Sequence, residues 1–569
     1  MVGFGWRKPA NVAGTSAPAI LLSLFVATGG LLFGYDTGSI NGILLMESFK
    51  KDFSTGFKDD DGNPAMSPSQ VSLVVAMLSA GTIVGALLSA PIGDLWGRRL
   101  SLIAALGIFC VGAIFQVCAT NVPLLVVGRT LAGVGVGVVS VLVPLYQSEM
   151  APKWVRGTLV CAYQLSITAG LFAAAGINIL THNMEGAAAY RIPIGLQLTW
   201  AVVLALGLLI LPETPRYLIK RGYKDAAAIS LSRLRRLDIT HPALIEELAE
   251  IQANHEYEMA LGPDTYKDIF FGEPHLGRRT LTGCGLQMLQ QLTGVNFIMY
   301  YGTTFFKSGG VKDPYLITLI MQIINMVSTI PGLFVVESWG RRRLLIVGAA
   351  GMAICQLLIA SFATANGNVE EPKESQSQIL VIFVAIYIFF FAASWGPVVW
   401  VVTSEIYPLK VRAKSMSVST AANWLLNFGI AYGTPYMVDT ERIEGSGSID
   451  LGSRIFFLWG AFCILSIAFV WFMVYETSKI SLEQIDELYE RVDHAWNSRR
   501  FEPSWSFQQM RDFGFSESGI PPQEPQLELQ QSHSSGSQSE TGGSSTNTTT
   551  TTSRDDKLPI PVGHVDFSY

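Results

Sequence analysis

Ser148-Glu149-x-x-Pro152-x-x-Val155-Arg156 returns later in the chain as Ser404-Glu405-x-x-Pro408-x-x-Val411-Arg412. A second phrase, Trp96-Gly97-Arg98-Arg99 with Asp94 before it, returns in the same order as Trp339-Gly340-Arg341-Arg342 with Glu337 before it. Pro212-Glu213-Thr214-Pro215-Arg216 is echoed more weakly by Tyr475-Glu476-Thr477-Ser478-Lys479. Three motifs in one order, twice, indicate a duplicated half. Each motif abuts long apolar runs, so the duplicated unit reads as a bundle of membrane helices, and parallel six-helix repeats are a common plan of secondary transporters.

Composition agrees. With 49% hydrophobic residues, 15% charged residues and a mean hydropathy of +0.36 over 569 residues, the chain carries more apolar surface than a water-soluble fold can cover. Runs of bilayer-spanning length fall near 18–40, 71–92, 100–120, 123–147, 157–180 and 193–211, then near 280–304, 315–336, 344–364, 378–402, 414–438 and 453–474. The expected fold is an all-α membrane protein of twelve transmembrane helices, arranged as two six-helix pseudo-repeats with short cytoplasmic helices. Its divisions are an N-terminus over 1–17, a first bundle over 18–211, a linker over 212–279, a second bundle over 280–474, a cytoplasmic helix region over 475–514 and a tail over 515–569.

The formal charge of -6 and pI near 5.7 are sums over loops and tail, and nothing in them favours nucleic acid. Distribution says more: Arg98, Arg99, Lys153, Arg156, Arg341, Arg342, Arg343, Lys410, Arg412 and Lys414 crowd one set of short loops. The linker adds Arg216, Lys220, Arg221, Arg278 and Arg279. By the positive-inside rule these face the cytoplasm, with both termini. Asp59-Asp60-Asp61 and Glu370-Glu371 lie opposite, although Lys50, Lys51, Lys58 and Lys307 soften the contrast.

All six cysteines fall inside expected spans, with no disulfide framework and no zinc spacing. The apolar run after Arg7 and Lys8 is span-length and lacks a small-residue cleavage site, so it reads as a first helix, not a cleaved signal. The sequon Asn547-Thr548-Thr549 lies in the tail expected on the cytoplasmic side and should carry no sugar. In the linker, 225–237 and 243–259 show helix-period apolar residues with charged faces. Ser481 with Glu483 and Asp486 opens one more helix. From about 515 the Gln, Ser, Thr and Gly content cannot bury enough surface to order itself.

Charges at the membrane boundary suggest a gate. Asp94 with Arg98 and Arg99, Glu149 with Arg156, Glu337 with Arg341 and Arg342, and Glu405 with Arg412 sit at cytoplasmic helix ends, where carboxylate and guanidinium can pair between helices. Simple interfacial anchoring is the plainer alternative. Recurrence of the acids at matched positions favours a lock that closes the inward side. Deeper in the first span lies Asp36, with Arg129 at the start of the fourth as partner; an intramembrane acid is a functional candidate by default. The pair either holds helices together or exchanges protons and couples transport to them.

The second half supplies amides suited to a neutral polyol. Gln287, Gln290, Gln291, Asn296, Tyr300 and Tyr301 share one span, Asn325 lies on the next, Asn423, Trp424 and Asn427 on the eleventh, and Gln164 on the fifth. Helical spacing puts Gln287 and Gln291 on one face. Amides donate and accept, as vicinal hydroxyls require, and an indole offers a flat apolar face. A single buried amide more often bonds helix to helix, but so many on few spans favour a ligand. Gly133, Gly135 and Gly137 lie in a span with no preceding strand and read as close helix packing, not a nucleotide loop. No Walker motif, nucleophile triad or metal cluster appears, so neither enzyme nor cofactor is expected.

Gly97-Arg98-Arg99, Pro144-x-Tyr146-x-x-Glu149 with Arg156-Gly157, Pro212-Glu213-Thr214-Pro215-Arg216, Gln290-Gln291-Leu292-Thr293-Gly294-Val295-Asn296 and Trp395-Gly396-Pro397-x-x-Trp400 together resemble the sugar porters of the major facilitator superfamily. The likeness covers roughly 18–490. Arg191-Ile192-Pro193-Ile194-Gly195-Leu196-Gln197 and Ala421-Ala422-Asn423-Trp424 resemble fungal hexose transporters and their transporter-shaped glucose sensors. The resemblance implies hexose contacts from Gln164, Gln287, Gln291 or Gln290, Asn296, Asn325, Trp400 and Trp424, and a proton-coupling position at Asp36. One departure is Ala90, where the family has glycine four residues before the loop acid. The implied function is transport of a hexose, glucose above others, by alternating access across the cell membrane. The alternatives are an uncoupled facilitator, or a sensor that signals through its tail, which would bind cytosolic regulators.

Overall fold

A computed structural model describes residues 14–56, 58, 64–152, 155–260, 265–272, 275–308, 311–365, 374–408, 410–438, 451–478, 480 and 482–501. The acidic clusters at 59–61 and 370–371, Lys153, Lys479, Ser481, the sequon and the 515–569 tail lie outside the described residues, as do Arg7 and Lys8. Among the described residues the protein is helical, apart from one isolated bridge between Lys58 and Pro64.

Twelve spanning segments follow in order. The first half holds α1 (Ala17–Ile43), α2 (Pro68–Trp96), α3 (Arg98–Val117), α4 (Val122–Met150), α5 (Arg156–Thr181) and α6 (Ala188–Ile210). The second holds α7 (Leu276–Leu292 continued by Val295–Ser308), α8 (Pro314–Trp339), α9 (Arg341–Ala365), α10 (Gln378–Glu405), α11 (Arg412–Met437) and α12 (Ile455–Met473). Ten described helices are long and apolar enough to cross a membrane by length and composition. The remaining two segments are α7 and α11. Their amides dilute the hydropathy that marks the other ten: Gln287, Gln290 and Gln291 on one, Asn423 and Asn427 on the other.

Local chemistry sets the ends. Ser67 and Gln70 form a reciprocal capping box at the start of α2, Asn121 caps α4 by accepting from Leu124 N at 3.0 Å, and Asp313 caps α8 by accepting from Leu316 N at 3.0 Å. Each repeated Trp-Gly-Arg-Arg phrase is a tight helix-to-helix turn: Gly97 has φ +87° and Gly340 φ +88°, a conformation that costs a side chain energy. Within α7, Gly294 (φ +84°) breaks the helix against the Trp459 ring. In α10 a π-turn over Phe391–Trp395 precedes Gly396-Pro397.

Small residues bring α2 and α4 together, with Gly133 facing the Leu78 carbonyl and Gly137 the Thr82 carbonyl so closely that a Cβ would collide. Gly135 approaches Ala105 O of α3 in the same way. All three glycines therefore serve helix packing.

The linker forms helices Pro215–Lys220, Lys224–Arg235, Pro242–Ala260 and Asp268–Phe271. Thr15 N donates to Arg235 O at 2.9 Å, docking the segment before α1 onto them. After α12, helix Leu482–Arg491 packs under α7: Arg279 pairs with Asp486 and lies 4.3 Å from the Tyr489 ring, which meets the Tyr475 ring at 4.4 Å.

Candidate functional site

A cavity with about 610 Å³ of space, including the part continuous with solvent, lies between the halves. The second half contributes Gln290, Gln291, Asn296, Asn325, Trp400, Asn423 and Trp424, and the first half contributes Gln164. Its wall is a continuous amide network. Asn423 donates to Gln287 Oε1 at 2.7 Å and Gln290 Oε1 at 2.9 Å, and accepts from Gln291 Nε2 at 2.7 Å. Asn296 donates to Gln291 Oε1. Gln290 Nε2 donates to Trp395 O at 2.9 Å and Gly396 O at 3.1 Å, the carbonyls of the π-turn. A network satisfied in this way holds its members in fixed orientations.

Three expected contacts stand behind the wall. Gln287 bonds Thr403 Oγ1 at 3.3 Å and supports Asn423 from the far side. Asn427 accepts from Ser79 Oγ at 2.7 Å and from Tyr300 OH at 3.1 Å, and donates to Gln291 at 3.3 Å. These three residues orient the lining amides, and none of them lines the cavity. The first-half wall adds Phe33, Thr37, Ser140, Tyr163 and Ile167, which the sequence did not single out. Aromatic residues and small hydroxyls in an apolar span look like core, and no periodic signal separates them. Across the seam, Trp424 Nε1 donates to Ser140 Oγ at 3.3 Å, Phe33 meets Trp424 edge-on at 4.8 Å and Tyr163 meets Trp400 edge-on at 5.7 Å.

The halves touch on both sides of the cavity. At the linker end Ser417 Oγ donates to Ala86 O at 2.7 Å, and a Cβ on Gly157 would lie 2.5 Å from Glu337 Oε1. At the opposite end Thr303 N donates to Asn41 Oδ1 at 3.1 Å, Ser72 Oγ to Tyr432 O at 2.7 Å and Tyr315 OH to Gly42 O at 3.1 Å.

Within the first half, Arg129 Nη2 lies 3.3 Å from Asp36 Oδ2, with the two side chains 2% and 1% exposed. Asp36 Oδ1 and Arg129 Nε have no hydrogen-bond partner among the described residues. The adjacent Thr37 is what reaches the cavity.

The charged phrases form two matching triangles, which contain the expected Asp94–Arg98 and Glu337–Arg341 pairs. Arg98 binds Asp94 at 3.2 Å and Glu149 at 3.1 Å; Arg341 binds Glu337 at 2.9 Å and Glu405 at 2.9 Å. Glu149 and Glu405 thus each meet the arginine of the other phrase in their own half, because the Gly97 and Gly340 turns aim Arg98 and Arg341 inward. Arg412 donates to Tyr407 O at 3.0 Å. Arg99 and Arg342 donate to the carbonyls of Leu208 and Trp471 at 2.9 Å each.

The weak echo completes the symmetry. Glu213 accepts from Arg98 N at 3.2 Å and Arg99 N at 3.0 Å, and Glu476 accepts from Arg341 N at 2.9 Å and Arg342 N at 3.2 Å. Each carboxylate covers a helix N-terminus, where negative charge is favoured. Burial nonetheless pushes the Glu213 carboxyl above the usual range.

Two six-helix repeats around a central cavity, with tight turns at matched positions, define a membrane transporter of the major facilitator fold, not an enzyme. The chain belongs to the sugar (and other) transporter family, whose model matches residues 22–489. It is 71% identical to the "Probable glucose transporter rco-3" of Neurospora crassa, over 99% of each chain. It is 41% identical to the "High glucose sensor RGT2" of Saccharomyces cerevisiae, over 84% of this chain and 62% of that one. Among solved structures, the proton:xylose symporter XylE from E. coli bound to 6-bromo-6-deoxy-D-glucose matches with a TM-score of 0.71 at 27% identity, covering 84% of this chain and 100% of that one.

Proposed function

We propose that the protein carries a hexose, glucose in first place, across the cell membrane by alternating access. The observation that carries this is the cavity between the halves, walled by uncharged amides from both halves and two tryptophans from the second. Amides satisfy hydroxyls in both hydrogen-bonding senses, indoles cover the apolar faces of a sugar ring, and the lining holds no Asp, Glu, Lys or Arg to demand a charged substrate. Gln164, Gln290, Gln291, Asn296, Asn325, Trp400, Asn423 and Trp424 contact the sugar, with Gln287, Tyr300 and Asn427 orienting them. The printed names of the Neurospora relative and of XylE support the substrate class.

Proton symport through Asp36 is part of the reading. Its support is a buried carboxylate beside Arg129, one residue from the cavity-lining Thr37. The linker end, with its arginine triangles, faces the cytoplasm, together with both termini. The triangles serve as the cytoplasmic gate, and rocking of the halves opens and closes it.

The sensor reading has one observation behind it, the 41% identity to RGT2. That match spans 62% of the sensor, against 99% of the glucose transporter relative, which favours transport. Radiolabelled glucose uptake into liposomes containing the purified protein tests all three readings. Accumulation driven by an inward proton gradient is expected. Equilibration alone would make the protein a facilitator, and binding without flux would make it a sensor.

A further inference from the structure

Outside the sugar cavity, one buried polar cluster gathers at the break of α7. Helix Leu276–Leu292 ends there, Gly294 turns the chain at φ +84°, and helix Val295–Ser308 begins. Two side chains from other helices converge on the carbonyl just before the turn. Gln356 of α9 donates from Nε2 to Thr293 O at 2.6 Å, and Tyr387 of α10 donates from its hydroxyl to the same oxygen at 3.0 Å. Cys463 of α12 donates from Sγ to Gln356 Oε1 at 3.4 Å, which leaves the amide nitrogen aimed at Thr293. Thr293, Gln356, Tyr387 and Cys463 are fully buried, and none of them lines the sugar cavity.

Where a helix breaks inside a membrane, neighbouring side chains must satisfy the backbone groups that the break frees. A buried amide often does no more than join helices, but two features of this cluster point further. Both donors meet one oxygen, and that oxygen lies between residues whose mutual position makes the amide wall. Gln290 and Gln291 stand before the break and Asn296 after it, and Asn296 donates to Gln291 Oε1 across the turn. The angle between the two parts of α7 therefore decides whether this bond forms. The Trp459 ring lies against Gly294 and restrains the turn sterically, but a ring contact leaves the rotation of the Thr293 peptide free. Two directional hydrogen bonds to its carbonyl fix that rotation.

We propose that Gln356 and Tyr387 are positioning residues for the sugar site: by clamping Thr293 O they fix the turn at Gly294 and hold Asn296 in register with Gln291. The proposal rests on the reading that the amide-walled cavity binds a hexose. Without the clamp, helix Val295–Ser308 gains freedom at its root, and an incoming sugar has to order it before Asn296 and Gln291 can act together. That ordering is a cost of binding, so affinity falls although every side chain lining the cavity is unchanged.

Two variants of the full-length protein in liposomes test this: Gln356→Leu, which removes the donor at similar volume, and Tyr387→Phe, which removes one hydroxyl and keeps the ring. Each should raise the KM for glucose uptake about three- to tenfold, the range of one neutral hydrogen bond, with the maximal rate per folded molecule unchanged. A merely structural role would lower the maximal rate at constant KM, and that result would overturn the proposal. Hydrogen exchange is measured on the same proteins without sugar, so it does not depend on what is transported. Exchange should rise about fivefold or more over 294–308 and stay as in wild type over the other spans; unchanged exchange over 294–308 in both variants would also overturn the proposal. A wild type that neither binds nor carries glucose, with 294–308 still loosened in the variants, would refute the hexose reading and uphold the clamp.

Discussion

Asn423 is the residue on which the amide wall turns, because it alone joins Gln287, Gln290 and Gln291. Replacing it with Ala leaves amide groups on all three without their partner, and each unsatisfied buried group costs about 1–3 kcal/mol. Asn423→Ala should therefore weaken glucose uptake tenfold or more at unchanged surface abundance; uptake within twofold of wild type would remove the network from the binding site. Asp36 calls for a different readout. Asp36→Asn should abolish accumulation against a gradient while sugar exchange persists, and an accumulation ratio equal to wild type would exclude the carboxylate as the proton carrier. The same substitution leaves Arg129 buried beside a neutral group, a costly state. Asp36→Glu, which keeps the charge, separates coupling from stability.

At the scale of elements, the two Trp-Gly-Arg-Arg turns carry the repeat. A Cβ at Gly340 would meet the Glu476 carboxylate that covers the start of α9, in a backbone conformation already unfavourable for a side chain. Gly340→Ala should lower stability by about 2 kcal/mol or more, combining the roughly 1–3 kcal/mol of a positive-φ extended conformation with the collision. Gly186 has φ +70° with nothing within 4 Å of an added Cβ, so Gly186→Ala should show the conformational part alone. Thermal unfolding of the two variants in detergent makes the comparison, and equal shifts would mean that the Glu476 contact contributes nothing. The break of α7 at Gly294 and the π-turn of α10 act on the site at the same scale. The first leaves Asn296 beside Gln291, and the second turns the Trp395 and Gly396 carbonyls toward Gln290.

For the whole molecule the issue is how two triangles, each internal to its half, govern a motion between halves. Glu337 and Arg341 lie against Gly157 at the start of α5, so the second-half triangle forms part of the surface on which the first half closes. Glu405 accepts from Arg341 and also from Thr477 Oγ1 at 2.7 Å, which ties the gate to the segment after α12. Glu405→Gln should loosen this surface and raise the labelling of cysteine probes at the linker end at least threefold, with little change in sugar specificity. Unchanged labelling on both sides would count against the triangles as a gate. The Arg98–Glu149 and Arg341–Glu405 pairs are largely buried, where loss of one partner costs about 3–5 kcal/mol, so the gate opens only as water or new partners reach these charges.

The repeated phrases, the twelve apolar runs and the clustering of arginines were legible in the sequence because they are one-dimensional. Membrane solvation demands a minimum run length, a duplicated half repeats its motifs in order, and charge asymmetry is a property of loops. The amides were visible for the same reason, as polar residues in spans that otherwise exclude them. Their division into wall and support was not. Gln287 and Gln291 share a helical face, yet Gln291 borders the cavity and Gln287 lies behind Asn423, because α11 crosses that face between them. Likewise Glu149 meets Arg98 from another helix, a pair that spacing within its own phrase does not announce. Partners across helices and the first-half lining of Phe33, Thr37, Ser140 and Tyr163 depend on how segments distant in the chain pack. Spacing along the chain carries no information about that packing, so only the tertiary structure decided it.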